Sequence, residues 1–174
     1  MATAKPSINV PHSTSHAAEL DQLDIRRANP DEFGLLARMN RELIEDEGHR
    51  NPMTVPQLTE RFQSFVSNEG WQVDVLLSGS TIVGFMTHRY EPDIAEPSGF
   101  RVFLRQFYIS RDKRRGGIGS RAVELLFKKR FKPGDRVFLD VLEVNPIGRA
   151  FWSRSGFSPY STTMEQVVGS SEPS

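Results

Sequence analysis

Hydrophobic residues recur along the chain at two spacings, and the places where the spacing changes predict the order of its elements. A short β-type run over residues 23–28 opens the series. Two helical stripes follow, and each is preceded by a capping pattern, Asn29 with Glu32 before the first and Thr54 with Gln57 before the second. The stripes consist of Leu36, Met39, Leu43, Leu58, Phe62, Phe65 and Val66.

The second half of the chain alternates between the two spacings. Its β-type runs cover residues 71–77, 81–88, 100–109, 136–144 and 160–168. The first two flank Ser-Gly-Ser, which is typical of a hairpin. One helical stripe separates the third and fourth runs, and a short helix between Asn145-Pro146 and Gly156 separates the fourth and fifth. The predicted order β-α-α-β-β-β-α-β-α-β indicates a single α/β domain with one mixed sheet flanked by helices.

Both ends of the chain lack this periodicity. Residues 1–20 are rich in Ser, Thr, Ala, Pro and His, and residues 169–174 are similar, so we predict mobile tails around a domain at residues 21–168. The absence of cysteine excludes disulfides, thiolate metal sites and a cysteine nucleophile. No apolar run has membrane-spanning length and no secretory signal is present, so we expect a cytoplasmic protein without a membrane partner.

Charge changes the picture at one place only. The formal net charge is 0, yet residues 111–132 contain nine basic residues against two acidic ones. A strand ends near Ile109, and after a loop a helix starts near Gly117, whose first N–H groups and dipole attract anions. The glycines of the loop let a ligand approach the main chain, and Arg114 and Arg115 add mobile positive charge at the rim of this site. The pattern favours a phosphate site, and the alternative is a solvated loop whose arginines aid solubility.

Two common phosphate motifs fit this loop poorly. A P-loop is excluded because the chain has no Gly-Lys pair. Gly117, Gly119 and Ala122 have the spacing of a dinucleotide fingerprint, with Asp140 in the place of the acidic residue. However, six polar residues separate the strand from the glycines, and the 34 residues after Asp140 are too few for a doubly wound sheet.

The loop and a second segment together resemble the paired signatures of GNAT-type N-acetyltransferases. The loop is similar to the pattern [QR]-x-x-G-x-[GA], and the second segment to N-x-x-A-x-x-x-[YW]-x-x-x-G-F. The matching residues are Arg114, Gly117, Gly119, Asn145, Trp152, Gly156 and Phe157. Gly148 stands where alanine is commoner. With the order of elements, the resemblance covers about residues 22–168.

The resemblance implies a splayed pair of central strands and acetyl-coenzyme A as co-substrate. The strand at Phe107–Ile109 would bind the pantetheine arm, residues Arg114–Ser120 would wrap the diphosphate, and Asn145 would lie near the thioester. The complete implied cofactor set is Phe107, Tyr108, Ile109, Arg114, Arg115, Gly116, Gly117, Ile118, Gly119, Ser120, Asn145 and Trp152.

Acetyl transfer to an amine requires a neutral amine, a polarised carbonyl and a departing thiolate. Similarity to ribosomal-protein alanine acetyltransferases makes Asp140 a candidate base, and the alternative is a strand-end carboxylate paired with an arginine. Trp152 replaces the tyrosine that protonates the thiolate in many members, and indole is not an acid near neutral pH. Tyr108 or Tyr160 could substitute, or the thiolate could leave unaided, since a thiol pKa is about 8.5.

The segment between the first two helices lines the acceptor pocket in this family. Here Glu47 could bind an acceptor ammonium, His49 could relay its proton, and Arg50 could bind an acceptor carboxylate; the alternative is a helix end with self-paired charges. We expect no metal site, because the ligand set around His49 is incomplete. His88, inside a strand, is expected to be structural.

These observations favour an acetyl-coenzyme A-dependent N-acetyltransferase acting on a primary amine of a small molecule or peptide. A non-catalytic acyl-coenzyme A sensor is the alternative, suggested by the missing tyrosine. A nucleic-acid-binding module using residues 111–132 is a third class, but it lacks a recognition helix and interleaved exposed aromatic residues, so we expect no nucleic-acid partner. A homodimer through the last strand is a further expectation from the family.

Overall fold

The computed structural model describes residues 20–168, so both predicted tails lie outside it apart from Leu20. The strands are β1 (Leu23–Arg27), β2 (Gln72–Ser78), β3 (Thr81–Pro92), β4 (Phe100–Ile109) and β5 (Val137–Phe138). The α-helices are α1 (Phe33–Glu47), α2 (Val55–Ser67), α3 (Ile118–Arg130) and α4 (Pro146–Arg154). The predicted α/β class with one mixed sheet is confirmed.

The sheet has the order β1-β2-β3-β4-β5. The first four strands are antiparallel to their neighbours, whereas β5 runs parallel to β4. The predicted hairpin joins β2 to β3 through a two-residue turn, in which Gly79 has φ +60°. Helices α1 and α2 cover one face of the sheet and α3 covers the other, so each face has its own hydrophobic core.

The predicted caps form at the starts of both N-terminal helices. The Asn29 N–H donates to Glu32 Oε2 at 2.8 Å, and the Thr54 N–H donates to Gln57 Oε1 at 2.8 Å. Helix α1 continues to Glu47 because the left-handed residue that ends it, at φ +67°, is Gly48. These local signals set where the acceptor-side segment between α1 and α2 begins and ends.

The C-terminal part of the predicted sheet is wrong. Only two residues of the predicted 136–144 run form β5, and residues 160–168 form no strand. Since β5 ends at Phe138, no adjacent strand extends far enough to pair with the final run, and β propensity without a partner does not produce a strand. Its large apolar side chains are exposed, namely Tyr160, Met164, Val167 and Val168. The homodimer expected through this segment stays a prediction.

The short β5 leaves a cleft beside β4. The parallel pairing joins Val102 to Val137 and Phe103 to Phe138, and then stops while β4 continues to Ile109. The two phenylalanine rings stack with centroids 4.6 Å apart and so mark the base of the opening. The splay implied by the family resemblance is therefore present between these strands.

A buried ion cluster connects α3 to the sheet. Asp74 of β2 is 0% exposed and contacts Arg27, Arg130 at 2.7 Å and His88 Nε2 at 2.9 Å. The His88 ring also lies edge-on against Phe131, with centroids 5.1 Å apart. His88 is therefore packed within the sheet, away from the cleft beside β4.

Candidate active site

The exposed edge of β4 presents main-chain groups to the cleft. The Ser110 N–H donates to the Val83 oxygen of β3 at 2.8 Å. Because main-chain groups alternate along a strand, Tyr108 also directs its amide toward β3, whereas Phe107 and Ile109 direct theirs toward the opening. Of the three residues expected to bind pantetheine through the backbone, Phe107 and Ile109 therefore present their N–H groups to the opening, and Tyr108 does not.

A β-bulge lies on β4 next to the cleft. His88 pairs with Leu104 and Thr87 with Gln106, so Arg105 is an extra residue. Gln106 Nε2 donates to Asn40 Oδ1 of α1 at 2.8 Å. The Arg105 guanidinium lies over rings on the same face of the sheet. The bulge thus directs two consecutive polar side chains toward α1 and α2.

The arginine-glycine loop ends in a conformation suited to an anion. Arg115 has φ +70° and Gly117 has φ +74°, both in the left-handed region, and Gly117 caps α3. The first main-chain bond of the helix runs from the Arg121 N–H to the Gly117 oxygen at 3.0 Å. The N–H groups of residues 118–120 therefore precede the intrahelical ladder and are available to a ligand.

The arginine side chains of this loop behave differently from the prediction. Arg114 was expected to be mobile at the rim, but it contacts Asp46 Oδ2 at 2.6 Å and donates through Nε to the Ile109 oxygen at 2.8 Å. Arg111 contacts the same carboxylate at 2.7 Å. Burial alone would raise the pKa of Asp46, but hydrogen bonds from both arginines outweigh it and lower that pKa. Arg114 thus fastens the loop to α1, and Arg115 remains as an exposed cation.

Local pairing also affects the rest of the basic segment. Several of its cations form ion pairs within the described chain, among them Arg111, Arg114, Arg121, Lys129 and Arg130. The positive field inferred from the sequence is therefore partly cancelled by acidic residues of other elements.

Asn145 caps α4 with its side chain. Its Oδ1 accepts the Gly148 N–H at 2.8 Å. A Cβ at Gly148 would lie 2.9 Å from Asn145 Cγ, which explains why glycine replaces the commoner alanine here. The family resemblance places Asn145 near the thioester. In the structure, its side-chain oxygen Oδ1 is engaged in the helix cap.

Trp152 forms part of an aromatic wall beside the cleft. Its ring lies 5.2 Å from that of Phe107 and 5.1 Å from that of Phe157, both edge-on. Phe151 stacks on Phe107 at 5.7 Å. A Cβ at Gly119 would lie 3.0 Å from Phe151, so the missing side chain lets the start of α3 approach this wall. Trp152 packs and excludes water, and it supplies no acid.

Neither tyrosine considered as an acid is well placed. Tyr108 is 2% exposed and its hydroxyl donates to Glu42; burial, followed by that hydrogen bond, raises its pKa to about 12. Tyr160 is 95% exposed and makes no hydrogen bond or ring contact within residues 20–168. These positions argue against either phenol as the acid for a departing thiolate.

Asp140 follows the end of β5 by two residues, and Arg105 lies on the neighbouring strand β4. The exposed carboxylate acts electrostatically on Arg105 without a direct ion pair. The environment of Asp140 thus resembles the alternative interpretation of this residue, a strand-end carboxylate associated with an arginine, more than that of a catalytic base.

Of the three predicted acceptor residues, only Glu47 has an unusual environment. It is the half-buried last residue of α1, and no hydrogen bond or ion pair is formed by its carboxylate within residues 20–168. Burial, followed by the charge of Asp46, raises its pKa to about 7. The next residue, Gly48, adjoins Val144, since a Cβ there would lie 3.4 Å from Val144 Cγ2. Glu47 is therefore close to the segment that follows Asp140.

The other two acceptor residues are exposed and engaged locally. His49 Nδ1 accepts the Asn51 N–H at 3.0 Å, which shapes the turn after α1. Arg50 contacts Glu165 at 2.6 Å, and both side chains are more than 70% exposed. His49 and Arg50 therefore have local partners, whereas the Glu47 carboxylate has none in the described chain.

Several residues of the site were not identified from the sequence. Glu42 and Asp46 hold Tyr108 and the arginine-glycine loop, but helix acids facing solvent have the same local pattern. Arg105 and Gln106 were also missed. Their signal was visible, because they interrupt the alternation of the 100–109 run, as a bulge does.

Residues 20–168 contain neither a metal cluster nor a membrane-spanning helix. No group of three or more His, Asp or Glu side chains in residues 20–168 could hold a metal ion. No helix in the same range is both long and apolar enough to cross a membrane.

The sequence profile of the acetyltransferase (GNAT) family matches residues 17–157, most of the chain. The chain belongs to the GNAT family of acetyltransferases. Acetyl-coenzyme A is the co-substrate of this family. No curated protein sequence matches the chain significantly.

Solved structures share this fold at low sequence identity. A mutant protein from Bacillus halodurans is 23% identical, with a TM-score of 0.68 over 83% of this chain and 98% of that one. A predicted acetyltransferase from Clostridium acetobutylicum, solved with acetyl-coenzyme A, is 17% identical, with a TM-score of 0.65 over 83% and 96% of the two chains. An aminoglycoside acetyltransferase from an uncultured soil sample, solved with sisomicin, is 16% identical, with a TM-score of 0.61 over 86% and 97%. These similarities show the GNAT fold.

The geometry of the cleft fits a GNAT co-substrate. An extended amide-containing arm can hydrogen-bond the free edge of β4 at Phe107 and Ile109. A diphosphate can lie at the start of α3, where the N–H groups of residues 118–120 precede the intrahelical ladder. Both features open on the same cleft because α3 follows β4 through the arginine-glycine loop.

Proposed function

We propose that this acetyltransferase is an N-acetyltransferase that transfers an acetyl group from acetyl-coenzyme A to a primary amine of a small molecule or peptide. The observation that carries the proposal is Glu47. A carboxylate with a pKa of about 7 and no partner in the described chain is suited to accept a proton from an ammonium group at neutral pH. One protein of this fold was solved with sisomicin, an aminoglycoside, which is compatible with an amine acceptor.

Acetyl-coenzyme A supplies an acyl thioester, and the chain's residues position and activate the reactants. The first turn of α3 holds the diphosphate, and the β4 edge orients the pantetheine arm. Phe107, Phe151 and Trp152 shield one side of the cleft from water. Glu47 takes the ammonium proton, directly or through a water molecule, and the neutral amine then attacks the carbonyl carbon. The C–S bond then breaks and the thiolate departs without a protein acid, since a thiol pKa of about 8.5 makes it a fair leaving group. The nitrogen loses its second proton to this thiolate or to water, which completes the amide and the free thiol.

This assignment exchanges two roles inferred from the sequence. Asp140 was the candidate base, but it is exposed, and its charge acts on Arg105. Glu47 was the candidate ammonium ligand, but its raised pKa suits proton transfer better. We therefore assign the base to Glu47 and an electrostatic role in attracting the amine to Asp140.

The purified protein should bind acetyl-coenzyme A and release free thiol when a suitable amine is added. A panel of amino acids, polyamines, aminoglycosides and short peptides, followed by a thiol-reactive dye, measures this activity. Binding without thiol release for any amine would favour the acyl-coenzyme A sensor, which the lack of a well-placed phenol also suggests. Absence of binding by calorimetry would contradict both proposals.

Replacing Gly119 by leucine should weaken acetyl-coenzyme A binding by about 10- to 100-fold, since its Cβ would lie 3.0 Å from Phe151 and the larger side chain would displace the first turn of α3, whose N–H groups form charge-assisted hydrogen bonds with the diphosphate. Isothermal titration calorimetry measures the change. Gly34→Leu is the matched control, because a Cβ at Gly34 meets nothing within 4 Å and α1 begins outside the cleft. Equal affinities in the two variants would place the diphosphate elsewhere.

A further inference from the structure

Three arginines surround two aromatic rings on the α1/α2 face of the sheet. The Arg89 guanidinium lies 4.1 Å from the centre of the Trp71 ring. Arg105 lies 5.4 Å from the same ring and 5.6 Å from the Phe65 ring, which Arg61 approaches at 4.9 Å. Positive groups from α2, β3 and β4 therefore share one aromatic platform, in which Phe65 and Trp71 pack together at 5.5 Å.

Two of these arginines have no carboxylate in contact. Arg89 is paired with Glu91 at 2.7 Å. Arg61 contacts only the Met53 sulfur, at 3.9 Å, besides its ring, and Arg105 makes no ion pair or hydrogen bond within residues 20–168. Arg61 and Arg105 therefore retain hydrogen-bond donors in the described chain.

The local charges show that positive charge is crowded at Arg105. Burial lowers the pKa of Arg105, and the charges of Arg61 and Arg89 lower it further. Glu69 and Asp140 act in the opposite direction, although neither contacts it. An anion placed between Arg61 and Arg105 would relieve this repulsion.

The platform lies on the acceptor side of the cleft. Arg105 is the extra residue of the β4 bulge, and the charge of Asp140 acts on it. Arg61 touches Met53, which belongs to the segment between α1 and α2. That segment starts directly after Glu47, the proposed base. The proposed base and Arg61 therefore adjoin the same segment on the acceptor side.

A guanidinium stacked on a ring is well prepared to bind a carboxylate. Stacking fixes the plane of the group and leaves its in-plane N–H donors open for a bidentate contact. We propose that Arg61 and Arg105 bind a carboxylate of the acceptor, so that the acceptor is an amine that also carries a carboxylate, such as an amino acid or short peptide. This inference rests on the proposed N-acetyltransferase function, and it transfers to these residues the role first considered for Arg50.

Matched acceptors test the proposal. Amino acids and dipeptides are compared with their C-terminal carboxamides, which keep the amine and lose the negative charge. We expect kcat/KM from thiol release to be about 10-fold or more higher for the carboxylates, as charge-assisted hydrogen bonds imply. Arg105→Gln and Arg61→Gln should remove this preference, mainly by raising KM for the carboxylates much more than for the carboxamides.

The chain offers a close control for these variants. Arg101 lies on the same strand and stacks on Phe138 at 3.9 Å, but it is paired with Asp93 at 3.5 Å. Arg101→Gln should keep the preference for carboxylates. Equal use of carboxylates and carboxamides by the wild type, or equal losses on both in Arg105→Gln, would overturn the proposal.

A binding measurement separates this proposal from the proposed reaction. Calorimetry with N-acetylated amino acids and their carboxamides, in the presence of coenzyme A, reports the carboxylate site without turnover. Tighter binding of the carboxylates that is lost in Arg105→Gln supports the site even if no thiol is released, in which case only the catalytic assignment fails. No difference between the two ligand classes in this measurement contradicts the carboxylate site.

Discussion

Replacing Glu47 by glutamine is expected to lower kcat for acetyl transfer by about 100-fold or more, the contribution typical of a positioned general base. The carboxamide keeps the size of the side chain but cannot accept the ammonium proton. Affinity for acetyl-coenzyme A should change little, because Glu47 lies at the end of α1 and the diphosphate is assigned to the start of α3. Steady-state thiol release and calorimetry measure the two quantities.

The pH profile gives the same prediction a second readout. Because burial raises the pKa of Glu47 to about 7, the base form increases as pH rises through about 7, and wild-type kcat should rise over that range. Glu47→Gln should lose this inflection and keep only the dependence caused by the amine itself. The raised pKa also means that ionisation disfavours the folded state, so the glutamine variant should be the more stable protein above pH 7 and lose this advantage as pH falls.

Two variants distinguish Glu47 from its neighbours. Glu45→Gln removes an exposed carboxylate two positions earlier on the same helix and should retain most activity. Asp140→Asn should raise KM for the amine more than it lowers kcat, if Asp140 attracts the acceptor. A large loss of kcat in Asp140→Asn combined with full activity in Glu47→Gln would return the role of base to Asp140.

The success of the sequence predictions follows the range of the interactions involved. Capping at Asn29 and Thr54 and the hairpin turn at Gly79 are decided within a few residues, so their patterns were sufficient. The location of the cleft followed from two motifs and the order of the elements.

The sequence predictions that differ from the structure concern features that depend on contacts between distant parts of the chain. The β-type run at residues 160–168 needed a partner strand that β5 does not provide. The side chain of Arg114 was assigned to a ligand, but Asp46, far away in sequence, binds it. The raised pKa of Glu47 arises from burial, which no local pattern at the end of α1 reveals.

Replacing Asp74 by asparagine is expected to lower the free energy of unfolding by about 2 to 4 kcal/mol, because it leaves the charges of Arg27 and Arg130 without a counter-charge. The expected loss of unfolding free energy is smaller than for a fully buried pair, since the Arg27 side chain is 47% exposed and can reach water. Asparagine also cannot satisfy His88 and both guanidinium groups at once in a site that is 0% exposed. Urea denaturation with a constant m-value measures the loss.

The exposed ion pair between Asp24 and Lys129 provides the control for Asp74→Asn. Asp24 on β1 binds Lys129, the residue before Arg130 on α3. The Asp24 side chain is 55% exposed, so Asp24→Asn should cost less than about 1 kcal/mol.

Burial would raise the pKa of Asp74, but hydrogen bonds from His88 and Arg130 and the charge of Arg27 hold it below its usual value. Its contribution to stability is therefore complete above the unfolded pKa of about 3.9 and is lost as pH falls through the lower folded pKa. Asp74→Asn should lack this acid-induced loss, and equal destabilisation by the two substitutions would show that burial of the cluster contributes nothing beyond a surface ion pair.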